Sequence, residues 1–340
     1  KGDLLYLSAL DSILNDDGLL RRTAKPDAAL GVAGVMPQLA PIATKALPDH
    51  SVLAQFLDYG SHSPADQIGR LAPLLQAGVP ITLEIGIQDD NNMYLPQANV
   101  ESLERIVTAT ADSGMQGYVV ALWQVRQSDI SAAYLGRASW RPQMTASKFY
   151  QDFFPRLAGA AAAEDFEKAY RCIEGADREI KAGLLYGYAF PMSEKLLQTL
   201  IQHGVDRDGI THVRPQFQAA RDHFREARHK ASPAGLPYVE FWLRRTQFAV
   251  DWLDLIMAVG DLNQLLADKV QPDTLLTPAQ KQSALAALDG LLVRAVSLIE
   301  LIVEDATHIC DLGQIANLNQ HVHRYLKNVR ADLARRGCAC

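Results

Sequence analysis

Two carboxylates, Asp58 and Glu84, stand on successive short apolar segments and are the residues best suited to acid–base or nucleophilic work. Glu84 lies in Pro80-Ile-Thr-Leu-Glu-Ile-Gly-Ile87, where Ile81, Leu83, Ile85 and Ile87 alternate with Thr82, Glu84, Gly86 and Gln88. Side chains of a strand point alternately to its two faces, so the aliphatic residues claim one face and the polar residues the other. Burying a carboxylate without a partner costs on the order of several kcal/mol. Glu84 therefore needs a cation, water or a ligand, and Arg126 is the evident partner if its role is structural. Asp58 closes residues 51–58, where Val52, Ala54 and Phe56 leave open whether Asp58 or Tyr59 points inward. Glycoside hydrolysis uses two carboxyl groups, about 5–5.5 Å apart for retention or about 6.5–9.5 Å for inversion. Asp58 and Glu84 on neighbouring strands would meet either spacing, with the acid's pKa raised by burial beside a like charge.

The surrounding residues suit a polar, ring-shaped substrate. Gln88-Asp-Asp-Asn-Asn-Met-Tyr94 places Asp89 and Asp90 just beyond Glu84's strand, either as a solvated turn or as a grip on sugar hydroxyls. A calcium loop is disfavoured, because the Gly and distal Glu of that motif are absent. Trp123 shares a face with Val119 and Ala121, where it either fills core or stacks on a sugar ring. Arg126 and Asp129 follow it and would face the same pocket, and Tyr59 and His62 join from the earlier segment. A lone histidine such as His62 is more often a surface residue than a catalyst. Tyr134 and Trp140 read as packing residues in a structured loop.

These side chains need a scaffold, and the chain supplies it in two parts. Residues 1–158 alternate strand-like runs (4–10, 51–58, 80–87, 117–125) with helical patterns (28–45, 64–76, 99–113, 146–157), which predicts βα units and a parallel sheet. An open doubly wound sheet and part of a (β/α)₈ barrel both fit. The barrel reading makes this the last four βα units of a fold that takes about 250 residues. No Gly-rich phosphate fingerprint follows any strand, which weakens a nucleotide-binding sheet. Residues 159–340 show helical spacing only, over 164–185, 193–203, 214–230, 238–268, 278–307 and 312–335. Breaks are predicted at Pro191, Pro215, residues 232–237 and residues 271–273, with residues 160–163 as the hinge between the halves. The fold class is thus α/β followed by all-α: a partial barrel (1–158) and a helical bundle (159–340).

Composition narrows the class of partner. The 340 residues carry a net charge of −6, with 48% apolar and 21% charged residues, which argues against nucleic acid as a general partner. The longest apolar stretch, residues 288–303, is interrupted by Asp289, Arg294 and Glu300, which argues against a membrane span. Cys172, Cys310, Cys338 and Cys340 are too sparse for a disulfide framework, and no His pair joins the terminal Cys-x-Cys, so neither metal nor cofactor is expected. A chain that opens at Lys1 without Met reads as a fragment or processed product, and its compartment is unknown.

Three segments carry a resemblance: Pro80-Ile-Thr-Leu-Glu-Ile-Gly-Ile-Gln-Asp89, Gly117-Tyr-Val-Val-Ala-Leu-Trp-Gln124 and Arg137-Ala-Ser-Trp-Arg-Pro-Gln-Met-Thr-Ala-Ser-Lys-Phe-Tyr150. Within residues 55–158 the chain resembles the closing units of barrel glycoside hydrolases, the α-glucuronidases in particular, which also place a helical domain after the barrel. The resemblance implies a catalytic Glu after the sixth strand. The corresponding residues 67–73, Gln-Ile-Gly-Arg-Leu-Ala-Pro, hold no carboxylate, which would put that acid upstream of Lys1. The leading expectation is a glycoside hydrolase acting on a poly- or oligosaccharide, uronic-acid-containing chains included. Glu84 and Asp58 would be its catalytic carboxylates, and Asp89, Asp90, Trp123, Arg126, Asp129, Tyr59 and His62 its substrate contacts. The alternative is a non-catalytic carbohydrate-binding or scaffold protein on a degenerate barrel. A third reading makes the helical half an interaction module, with a homodimer through it as the form to look for.

Overall fold

Alternating aliphatic residues build a sheet at the front of the chain. In the computed structural model, which describes residues 31–33, 52–57, 68–88, 94–111, 113–122, 124–181, 205–267 and 276–335, the sheet has four strands. They are β1 (Gly31–Ala33), β2 (Val52–Leu57), β3 (Ile81–Gly86) and β4 (Gly117–Ala121), in the order β1-β2-β3-β4 with every neighbouring pair parallel. Parallel neighbours require crossovers. Helix α1 (Ala72–Gln76) lies between β2 and β3 in sequence, and α2 (Val100–Thr110) between β3 and β4. Ile81, Leu83 and Ile85 are fully buried, and α2 buries Val100, Leu103, Ile106 and Val107 at helical spacing. The order advances one strand at a time, without the reversal that marks a doubly wound sheet.

The strands depart from the sequence expectation in two places. Residues 28–45, expected as a helix, contain β1. Gly31 and β-branched Val32 are poor helix formers, and pairing of Gly31 with Val52 gives the short segment a ladder instead. The fourth strand, expected to reach Val125, ends at Ala121, and α3 (Val125–Ala138) begins there. The Gln124 carbonyl accepts the first-turn bonds from Gln127 N and Ser128 N, both at 3.2 Å. A short apolar run such as Leu-Trp-Gln-Val does not reveal by periodicity whether it extends a strand or opens a helix. The candidate strand at residues 4–10 lies outside the described residues.

Two compact units divide the chain. One comprises Lys1–Ile87, Asn99–Leu122 and Asp129–Ala146; the other comprises Gln88–Ala98, Trp123–Ser128 and Ser147–Cys340. The second unit contains α4 (Ala146–Ala158) from Ser147 on, α5 (Ala163–Lys181), α6 (Arg207–Lys230), α7 (Leu236–Ala267), α8 (Pro278–Val303), α9 (Ile309–Asn317), a π-helical turn (Leu318–His323) and α10 (Arg324–Arg335). The turn at 159–162 therefore lies inside this unit and is not a hinge between the halves. Two close approaches hold it: Ser232 N donates to Ala158 O at 2.9 Å, and a Cβ on Gly235 would meet Leu157 O at 2.6 Å.

Ion pairs give the helix directions. Lys230 meets Asp165, and Gln216 reaches Glu179, so α5 and α6 run antiparallel. Arg207 meets Asp261 and Arg228 meets Glu240, so α6 and α7 do the same. An aromatic seam of Tyr150, Phe154, Phe166, Tyr170, Phe224 and Trp242, with ring centroids 4.8–6.1 Å apart, joins α4 to α7. Pro215, expected to break the chain, lies inside α6. The helix starts upstream, where Asp206 accepts from Gly209 N at 3.0 Å. Burial of Ile210, Val213 and Phe217, at about 1.5–3 kcal/mol each, outweighs the roughly 3 kcal/mol an interior proline costs.

Candidate active site

Glu84 is the fourth residue of β3, in register between Phe56 of β2 and Val119 of β4. It is half-buried, whereas Leu83 and Ile85 on either side are fully buried. Val119, beside it on the same face, is 51% exposed. The polar face of β3 is thus the open one, as the alternation of its sequence requires. No lysine, arginine or histidine among the described residues forms an ion pair with Glu84.

The carboxyl end of β3 is held from both sides. Ile87 N donates to Ala121 O at 3.0 Å, and the Asn99 side-chain amide donates to Ile87 O. Asn99 is buried at the start of α2, where its side chain bonds the strand end and not the helix. In the second unit, Gln88 Oε1 accepts from Gln124 N at 2.6 Å, and the Gln127 side chain donates to that of Gln124. Sequence reading placed Gln88 on the polar face but missed Asn99, Gln124 and Gln127. The usable signal was a polar side chain at the junction of a strand and a helix.

Arg126 and Asp129 belong to α3, not to a strand end. The Arg126 guanidinium lies 4.2 Å from the centroid of the Phe241 ring and donates to Pro237 O at 3.3 Å. It is engaged by α7 through cation–π attraction, worth about 0.5–2 kcal/mol. Asp129 is half-buried. Asp58, Tyr59, His62, Asp89, Asp90 and Trp123 lie outside the described residues.

Tyr118 and Tyr134 are structural. Tyr118, on β4, hydrogen-bonds the Thr110 hydroxyl, and burial pushes its phenol above the usual range. Tyr134 is fully buried in α3 and donates to Met144 O at 2.8 Å, which confirms it as a packing residue. Burial, and then the Glu104 carboxylate, hold its phenol far above neutrality. Both phenols therefore stay protonated near neutral pH. Trp140, also expected to pack, instead stands 88% exposed on the turn after α3.

A separate cleft of about 390 Å³ is lined by Glu104, Thr108, Ala111, Pro142, Gln143, Met144 and Thr145. Helix α2 runs back from the carboxyl end of β3 toward the start of β4, so Thr108 and Ala111 lie toward the amino ends of the strands. This cleft is not the Glu84 face. Among the described residues, no group of three or more His, Cys, Asp or Glu side chains could hold a metal, and no helix is long and apolar enough to cross a membrane.

No family model matches the chain, and no curated protein is significantly similar to it. A solved structure is. A GH138 enzyme targeting pectin rhamnogalacturonan II superposes with a TM-score of 0.56 over 94% of this chain and 58% of that one, at 10% identity. The chain has a glycoside-hydrolase-like fold. It spans less than two thirds of that neighbour's length, and at such identity the likeness is one of architecture. It does not single out the α-glucuronidases.

Proposed function

We propose that the chain is part of a glycoside hydrolase whose β1–β4 are the closing four strands of a (β/α)₈ barrel. Its substrate is a poly- or oligosaccharide, with uronic-acid-containing pectic chains as the leading class, the neighbour's target being a pectin. Glu84 is one catalytic carboxylate and Asp58 the other. Asp89, Asp90, Tyr59, His62, Trp123, Arg126 and Asp129 contact substrate, Trp123 by stacking and Arg126 by pairing with a uronate.

The observation that carries this reading is Glu84 itself. It is half-buried, has no cation partner among the described residues, and sits near the carboxyl end of a strand in a parallel sheet that advances without reversal. Barrel active sites are built at that end. One of the two carboxyl groups protonates the leaving oxygen, while the other attacks the anomeric carbon or activates water. The test is turnover of rhamnogalacturonan II oligosaccharides and a panel of aryl glycosides by the naturally occurring protein, with and without Glu84→Gln.

A second reading, a carbohydrate-binding protein without catalysis, is favoured by one observation: residues 67–73 hold no carboxylate, and Ile68 and Leu71 there are buried. Binding without turnover, unchanged by Glu84→Gln, would select it.

A further inference from the structure

The cleft beside α2 and the exposed indole of Trp140, two residues before the lining residue Pro142, are not used by the proposed reaction. We infer that the cleft and Trp140 form a second carbohydrate-binding site, apart from the Glu84 face, that holds the end of an oligosaccharide. At about 390 Å³ the cleft falls at the small end of the roughly 300–1,000 Å³ range of small-ligand sites. One wall is apolar, from Ala111, Pro142 and Met144. Thr108, Gln143 and Glu104 bring a hydroxyl, an amide and a carboxylate. Sugars present this same mixture of C–H faces and hydroxyls. No basic side chain lines the cleft, which disfavours a phosphate or other small anion.

Trp140 lies two residues before Pro142 and is 88% exposed. The turn that carries it is held by backbone hydrogen bonds. Trp140 N and Arg141 N donate to Arg137 O at 3.2 and 3.1 Å, Met144 N donates to Arg141 O at 2.9 Å, and Tyr134 anchors Met144 O from within. A large exposed ring carried on a hydrogen-bonded turn offers an apolar face on which a sugar ring can stack. The Glu104 Oε2 atom already accepts from Ala146 N at 2.8 Å, which holds that carboxylate at the cleft wall.

The choice of carbohydrate over other small ligands rests on the glycoside-hydrolase reading above, and the experiment separates the two. The protein is run by native electrophoresis through gels containing rhamnogalacturonan II. The expected result is retardation that survives Glu84→Gln and weakens about tenfold in apparent affinity on Trp140→Ala, with hydrolysis of short soluble substrates unchanged. Trp140→Ala should leave the circular dichroism intact, because the ring is almost wholly in solvent. If that variant does not fold, Thr108→Trp, which fills the cleft from an exposed position, decides in its place. Retardation equal to wild type in the deciding variant, or no retardation of the wild type, overturns the inference. Retardation that depends on Trp140 without any turnover would instead refute the hydrolase and leave this site standing.

Discussion

Glu84 and Val119 stand side by side in register on β3 and β4, and Val119 keeps 51% of its surface exposed while its strand partner's neighbours Leu83 and Ile85 keep none. Strand β3 thus has a sealed aliphatic face, and its half-buried carboxylate lies on the other one. A residue placed only for packing would sit with the aliphatic set.

Val119→Arg should bring a guanidinium to the position directly across from Glu84. Neighbouring strands lie about 4.7–4.9 Å apart, close enough for opposite charges on registered side chains to pair. A cation there favours the ionised carboxylate and lowers its pKa. If Glu84 serves as the acid, the alkaline limb of the pH–rate profile moves to lower pH. If it serves as base or nucleophile, the acidic limb moves to lower pH. Kinetics from pH 3 to 9 on a soluble substrate would show which, and an unmoved profile would separate Glu84 from the reaction.

Leu83→Ala tests the sealed face. Removing a fully buried leucine should destabilise the protein by about 2–5 kcal/mol, whereas Val119→Ala should cost about 0.5 kcal/mol or less. Urea unfolding of the two variants measures the contrast, which would vanish if the faces were reversed.

How much of this was legible in the sequence follows from range. The faces of β3 were readable because alternation is a local property of six residues. The end of β4 was not, since an apolar run reads equally as strand or helix until a carbonyl such as that of Gln124 finds its partners. β1 was missed because three small residues form a strand only when β2 lies alongside. Arg126 reads as a partner of Glu84 or a substrate contact, for its ring partner Phe241 is remote in sequence and comes close only on folding. Trp140 looked like core because residue type alone does not disclose exposure.

In the helical unit, Arg245 is buried against Asp311 at 2.8 Å and Gln314 at 2.8 Å, and burial pushes its guanidinium pKa down. Asp311 also accepts from Thr307 N and His308 N, both at 3.1 Å, which caps α9. Asp311→Ala should therefore cost about 3–5 kcal/mol, by leaving a buried charge unpaired. The double variant Arg245→Met, Asp311→Leu should recover much of that loss. Thermal unfolding of the single and double variants tests the pair, and a double variant no better than the single would deny it.

The Arg330 guanidinium donates to both oxygens of Asp289, linking α10 to α8. That hydrogen bonding holds the Asp289 carboxyl below its ordinary value of 3.8. A carboxylate whose pKa is depressed on folding stabilises the folded state at pH above the unfolded value, and loses that contribution as pH falls through the folded one. The α8–α10 pairing should weaken below pH 3.8, and Arg330→Ala should flatten that part of the stability curve. Both residues are in solvent, so 1 M salt should mute the effect at any pH. Thermal unfolding between pH 2.5 and 6 of wild type and Arg330→Ala would show whether the two curves, apart above about pH 4, converge at the acid end.

The most direct measurement of the central claim is the kcat of Glu84→Gln on a rhamnogalacturonan II oligosaccharide that the wild type cleaves. A carboxylate that transfers a proton in the transition state should give a loss of about 10²–10⁴-fold, with KM changed little. A kcat within a factor of a few of wild type would contradict the assignment of Glu84 to catalysis.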